Sequence, residues 1–184
     1  NALYYCSSTN PQAVTVTACG STSVSFNNKL NTGSISLTKT TEDGQSLSGW
    51  QFGIYSNSAC TTLVSGPHST NSSGKISVTG LTPGTYYVKE LGNTDSSINA
   101  LYYCSSTNPQ AVTVTAGGTA AVSFTNKLNT GSVKLVKVTN TGANLSGWQI
   151  GLYTDSSCTS AVSGSPYTTG ADGTVTVTGL ISGT

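Results

Sequence analysis

Arginine and methionine are missing from this 184-residue sequence, histidine occurs once, and only 7% of the residues are charged. An ordinary globular domain is about one quarter charged, so the surface here must be built mainly from Ser, Thr, Asn and Gly. The seven basic residues are all lysines and face six acids, for a net charge of +1. That balance gives neither the basic stripe of a nucleic-acid binder nor an acidic tail, and no nucleic-acid partner is expected. No apolar run approaches the roughly 20 residues of a membrane helix. The opening "NALYYCSS" has neither the basic nor the apolar region of a signal peptide. The chain therefore reads as a soluble mature protein or a piece of one, without direct membrane insertion. Five cysteines include no C-x-x-C pair, which favours disulfides in an oxidising compartment over a zinc site. Asp95 in "NTDSS" has too few acidic neighbours for a calcium loop, and no metal or cofactor is expected. His68 follows "GP" in a loop, shows no nucleophile or acid partner pattern, and reads as a surface residue. Asn71 and Asn144 open Asn-X-Ser sequons that read as chance. With no nucleophile beside a base, no paired acids and no metal cluster, an enzyme is the least favoured class.

What is present is a repeat. Residues 1–30 and 99–128 are identical at 25 of 30 positions, including "NALYYCSSTNPQAVTVTA" without a change, a period of 98 residues. Each copy is followed by "NTGS", a strand ending in Lys, and then "LSGWQFGIYSNSACTTLVSG" or "LSGWQIGLYTDSSCTSAVSG". Three pieces of one unit follow from this. Residues 1–30 are the closing strands of a preceding repeat, 31–129 a complete unit, and 130–184 the opening strands of a following one. A unit of this size matches a single β-sandwich with its own core.

Within the complete unit, β-rich alternating runs are separated by turn signals and no helical period appears. Strands are expected near 34–40, 50–56, 61–65, 75–79, 85–91, 100–104, 111–116 and 121–127, with turns at "EDGQ", "NSSG" and "TPGT". The fold class is all-β, with Ig-like sandwiches strung in tandem.

Alternation also pushes three polar residues inward. In "SISLTKT", Lys39 shares a face with Ile35 and Leu37; Glu90 follows Tyr86 and Val88, and Asn126 follows Val122 and Phe124. A lone buried charge is expensive, so three such groups at strand ends are expected to meet. A neutral lysine amine can attack the asparagine side-chain carbonyl and expel ammonia, giving an intramolecular isopeptide bond. Desolvation favours the neutral amine. A protonated Glu90 would hydrogen-bond the amide oxygen and shuttle the proton, while the fold supplies effective concentration. Taken singly, each residue has a plainer reading: a snorkelling lysine, an ordinary salt bridge, an asparagine opening a turn.

The chain resembles the Cna B-type repeats of Gram-positive surface proteins and SpaA-like pilins, through its Lys strand, "LSGWQFGIYS", "GKISVTGLTPGTYYVKEL" and the closing "VSFTNK". The resemblance implies a β-sandwich in which a first-strand Lys bonds to a last-strand Asn with a Glu as catalyst. On the matching positions these are Lys39, Asn126 and Glu90. Trp50 and Trp148 depart from the pattern, which usually has a small residue there.

The cysteines recur with the repeat. Cys60 is expected to pair with Cys104, a long closure contributing about 2–4 kcal/mol, the alternative being buried free thiols. Cys19, whose counterpart is Gly117, stays unassigned: free, or linking to another molecule. At the ends, Asn28 and Cys6 lie on closing strands without an opening, and Lys137 and Cys158 on an opening without closing strands. Either the chain is a window on a long array, or subunits join head to tail by strand addition. Cys6–Cys158 would then be an inter-repeat or inter-subunit link, and Lys137–Asn28 a candidate partial cross-link. The second copy of 86–98 is absent, and with it the acid, so a disulfide joint is easier to defend. The expected function is a structural module of an extracellular filament, pilus-like fibre or stalk on the cell surface, whose partners are copies of itself. The alternative is an adhesin or carbohydrate-binding module meeting host or surface glycans or proteins, with Tyr4, Tyr5, Tyr102 and Tyr103 stacking on sugars.

Overall fold

The computed structural model describes residues 3–182 and folds them almost entirely as strands. The first copy of the repeated segment contributes β1 (Tyr4–Cys6) and β2 (Asn28–Leu30), an antiparallel pair with Cys6 opposite Asn28. The complete unit follows as β3 (Gly33–Thr41), β4 (Trp50–Tyr55), β5 (Leu63–Ser69), β6 (Lys75–Leu81), β7 (Gly84–Asn93), the short helix α1 (Ser96–Leu101), β8 (Tyr102–Cys104), β9 (Gln110–Val114) and β10 (Thr119–Leu128). Its strands form two four-stranded sheets, in the orders β6–β3–β10–β8 and β5–β4–β7–β9.

Two-residue periodicity explains the layering. Along β3 every second residue from Gly33 to Thr41 is buried. Ile35, Leu37, Val122 and Phe124 face inward from one sheet, and Trp50, Phe52, Ile54, Tyr86, Val88, Val112 and Val114 from the other. The rings of Phe52 and Phe124 join the layers, with centroids 5.0 Å apart. Each such side chain removed from water contributes about 1.5–3 kcal/mol.

The first and last strands of the sandwich, β3 and β10, are parallel neighbours in the middle of their sheet, with Val122 opposite Leu37, Phe124 opposite Lys39 and Asn126 opposite Thr41. The "NSSG" turn holds the end of β3: Gly74 takes a positive φ of 69° and its carbonyl accepts the Lys39 N–H at 2.7 Å. A Cβ there would collide with the Lys39 carbonyl oxygen, so the turn requires glycine.

One expectation is corrected. Residues 96–101 are helical, where alternation predicts no helix and a strand from 100. Asp95 caps the turn, accepting from the Ser97 N–H at 2.9 Å and the Ser97 hydroxyl at 2.6 Å, while its carbonyl accepts from Asn99 at 2.9 Å. A helix this short has too few turns to write a periodicity into the sequence.

Residues up to Asn99 and Tyr103–Lys127 form one compact unit; Ala100–Tyr102 and Leu128 onward form a second. Residues 3–30 thus cluster with the complete sandwich, although β1 and β2 join neither of its sheets. The first copy nevertheless repeats the local bonds of the second. Gln12 donates to Ser25 O as Gln110 does to Ser123 O, and the Ser7 N–H bonds Asn27 as the Ser105 N–H bonds Thr125. Its apolar residues are uncovered: Val16 and Phe26 are 71% and 53% exposed, against 1% and 0% for their counterparts Val114 and Phe124.

The second unit holds β11 (Thr130–Val136), β12 (Gln149–Ile150), β13 (Tyr167–Thr168) and β14 (Thr174–Ile181). β11 pairs with β14 as β3 pairs with β6, Val133 opposite Val177 matching Ile35 opposite Val78. β12 and β13 repeat the β4–β5 register.

Candidate functional site

The alternation that turns Ile35 and Leu37 inward turns Lys39 inward with them, 1% exposed; Glu90 and Asn126, at 7% and 1%, are buried by the same rule on β7 and β10. Lys39 Nζ lies 3.5 Å from Glu90 Oε2, and Asn126 Nδ2 donates to Glu90 Oε1 at 2.7 Å. One carboxyl therefore touches both the amine and the amide. Lys39 Nζ also donates to the Thr40 carbonyl at 3.0 Å and sits 4.5 Å from the centroid of the Trp50 ring. Glu90 Oε2 and Asn126 Oδ1 are buried without a hydrogen-bond partner among the described residues. Glu90 Oε2 is compensated by the ion pair, while the amide oxygen is left bare, at a cost of about 1–3 kcal/mol.

Burial pulls the Lys39 ammonium below the usual lysine range; the charges of Glu90 and Cys104 pull it part of the way back. The neutral amine, which is the nucleophilic form, is thereby brought closer to neutral pH. Cys104 borders the same site. Desolvation pushes its thiol up, and the negative charge of Glu90 pushes in the same direction.

The amide is turned the opposite way from the sequence expectation: its nitrogen, not its oxygen, faces the carboxyl. An ionised carboxylate can only accept, so the amide presents its NH₂. Glu90 thus meets the Lys39 amine through one oxygen and the Asn126 amide nitrogen through the other.

The other expected site residues are placed less decisively. Asn28 is exposed on β2. Lys137 is half-buried, with Nζ 4.2 Å from the Trp148 ring centroid, and the sequence holds no second "YYVKEL" to supply its acid. The structure joins none of the five cysteines by a disulfide; Cys6, Cys19 and Cys158 are exposed and Cys60 and Cys104 half-buried. Cys60 sits in the turn beyond Tyr55, which pairs with Tyr87, whereas Cys104 borders Glu90. Cys19 has a φ of 57°, a left-handed conformation that its counterpart Gly117 adopts at 69°.

The four tyrosines proposed for sugar stacking do not make one surface. Tyr4, Tyr5 and Tyr103 are about half exposed but Tyr102 is 4% exposed, because neighbours on a strand point to opposite faces. His68 Nε2 bonds the Ser65 hydroxyl at 2.8 Å on β5, a Ser partner that the sequence pattern did not reveal. Asp95 is spent on its cap. Among the described residues no helix is long and apolar enough to cross a membrane.

Cys104 was within reach of the sequence: in "LYYC" it stands two residues after the buried Tyr102, the same inward parity that selects Lys39, Glu90 and Asn126.

Residues 33–128, more than half of the chain, match the family model described as SpaA, a prealbumin-like fold domain. Among solved structures, the Bacillus anthracis TIE protein superposes with a TM-score of 0.61 at 22% identity, over 86% of this chain and 30% of that one. A Streptococcal ancillary pilin gives 0.45 at 23%, over 82% and 51%, and a minor pilin of Streptococcus agalactiae 0.43 at 26%, over 62% and 51%. The chain thus spans no more than about half the length of these structures. No curated protein matches it.

Proposed function

The chain belongs to the SpaA family of prealbumin-like fold domains, and from that premise we propose that it is a load-bearing module of an extracellular surface filament, clamped by a self-formed bond between Lys39 and Asn126. The observation that carries the reading is the single carboxyl of Glu90 touching both the Lys39 amine and the Asn126 amide inside the core.

The chemistry balances without a cofactor. Lys39 gives a proton to Glu90, and its neutral Nζ attacks Asn126 Cγ. The new C–N bond forms and the Cγ–Nδ2 bond breaks; Glu90 passes the first proton to Nδ2, which leaves as ammonia, and takes up the second proton that Nζ sheds in becoming the amide nitrogen. The reacting groups are held by neighbouring strands, so no encounter has to be paid for in entropy. This is one self-modifying turnover, not enzymatic catalysis.

The mechanical consequence follows from topology. β3 and β10 open and close the sandwich and lie side by side. A covalent tie between them carries tension directly from the entering strand to the leaving one, so the sheets between them bear none. Near-identical copies in tandem suit a repeated spacer. We read residues 1–30 and 130–184 as parts of neighbouring repeats, the flanking clamps using Asn28 and Lys137. Pulling the chain by its ends tests this: with the clamp in place, residues 40–125 add no extension at any force below covalent rupture. A full-length unfolding step of the complete sandwich would refute it.

A further inference from the structure

We infer that Trp50 is the positioning residue of this site, holding the Lys39 amine for attack; the inference rests on the cross-linking reaction proposed above. The indole is fixed before it meets the lysine. Its Nε1 donates to Ser46 O at 2.7 Å, and its backbone N–H to Thr70 Oγ1 at 3.0 Å, while that hydroxyl donates to Leu47 O at 2.7 Å. The second unit repeats the arrangement: Trp148 Nε1 donates to Asn144 O at 2.7 Å, and its N–H to Thr169 Oγ1 at 3.1 Å.

The second unit also separates the ring from the acid. Lys137 Nζ lies 4.2 Å from the Trp148 centroid although Trp148 is 46% exposed. Among the described residues no carboxylate pairs with Lys137, so the lysine meets the indole without one. Cation–π attraction to tryptophan is the strongest of its kind and grows as water is removed. In the complete unit the same contact at 4.5 Å leaves the amine between the indole of β4 and the carboxyl of β7. Lys and Trp are close in sequence, whereas Glu90 and Asn126 arrive from distant strands, so the ring orders the nucleophile before the rest of the site closes.

The test uses the full chain recovered from inclusion bodies in denaturant, before any folding, and refolded across a range of pH while intact mass follows the loss of ammonia. The titratable groups facing Lys39 are Glu90 on β7 and Cys104 on β8, so Cys104→Ser is kept in every variant to simplify the profile. Trp50→Leu, judged folded by circular dichroism, should slow the high-pH plateau rate roughly ten- to thirtyfold, because Nζ turns cationic under the ring as the C–N bond forms, and Trp50→Phe should restore it to within about threefold. A plateau in Trp50→Leu equal to the parent's overturns the role of Trp50 and leaves the cross-link standing. A parent that loses no ammonia overturns both. If Trp50→Leu fails to fold, the NMR shifts of the Lys137 ε-methylene decide. Upfield ring-current shifts that vanish in Trp148→Leu support the acid-independent contact, and random-coil shifts in the parent overturn it.

Discussion

Asn126→Ala removes the acceptor of the proposed bond while leaving Lys39 and Glu90 as a buried pair 3.5 Å apart. One loss dominates. The bond closes a loop of 87 residues (126 minus 39), and the loop-entropy expression used for disulfides gives about 4.6 kcal/mol at that length. The expression depends on the length tied off, not on the chemistry of the tie. The 2.7 Å hydrogen bond from Asn126 Nδ2 to Glu90 is no part of the difference, because that nitrogen leaves when the bond forms. A loss of about 4.6 kcal/mol is close to the whole stability of a marginal small domain. The complete sandwich should therefore melt roughly 18–37 °C lower in the variant. The assay is thermal unfolding of the full chain in reductant, followed by calorimetry and circular dichroism. A fall of only about 10 °C is what an unlinked parent would show on losing that hydrogen bond alone, and it would refute the covalent clamp as the main brace.

Further consequences follow from the same geometry. In Asn126→Ala, burial holds the folded-state pKa of Lys39 below its unfolded value near 10.4; the unfolded chain then binds more protons between the two values, so stability should rise with pH across that window and level off at its lower value beneath it. The parent, whose Lys39 is an amide and no longer titrates, should lack that rise, and denaturant titrations of both at several pH values check it. Alkylation should label Cys6, Cys19 and Cys158 first and Cys104 last, with the Cys104 rate rising only at higher pH because burial pushes its thiol up; peptide mass mapping over time would contradict this if Cys104 reacted with the exposed group. Gly74→Ala should destabilise the sandwich by about 1–3 kcal/mol, since Gly74 has a φ of 69° and its added Cβ would strike Lys39 O; an unchanged denaturation midpoint would count against the turn as a constraint on β3.

Much of this site is legible from strand parity. Lys39, Glu90 and Asn126 each stand two residues beyond an inward apolar side chain, and a pleated strand has no means of turning one such residue outward while keeping the others in. The strand positions were readable for the same reason. What parity leaves out is who stands beside whom. Recurrence of Cys60 and Cys104 with the repeat reports equivalence between copies and is silent on which thiols are neighbours. Parity gave no sign that β3 and β10 are parallel neighbours, since pairing depends on long-range topology. Nor did it give the orientation of the Asn126 amide, which depends on the charge of the carboxyl it meets. Helix α1 escaped because its signal is a single cap at Asp95.

The central claim is the bond itself, and intact mass of the reduced, denatured full chain tests it most directly. The account predicts a mass below that of the sequence by one ammonia, with fragmentation placing the link between Lys39 and Asn126, and the full sequence mass in Lys39→Ala and Asn126→Ala. A parent at the full sequence mass would contradict it, leaving Lys39 and Glu90 as an ordinary buried ion pair.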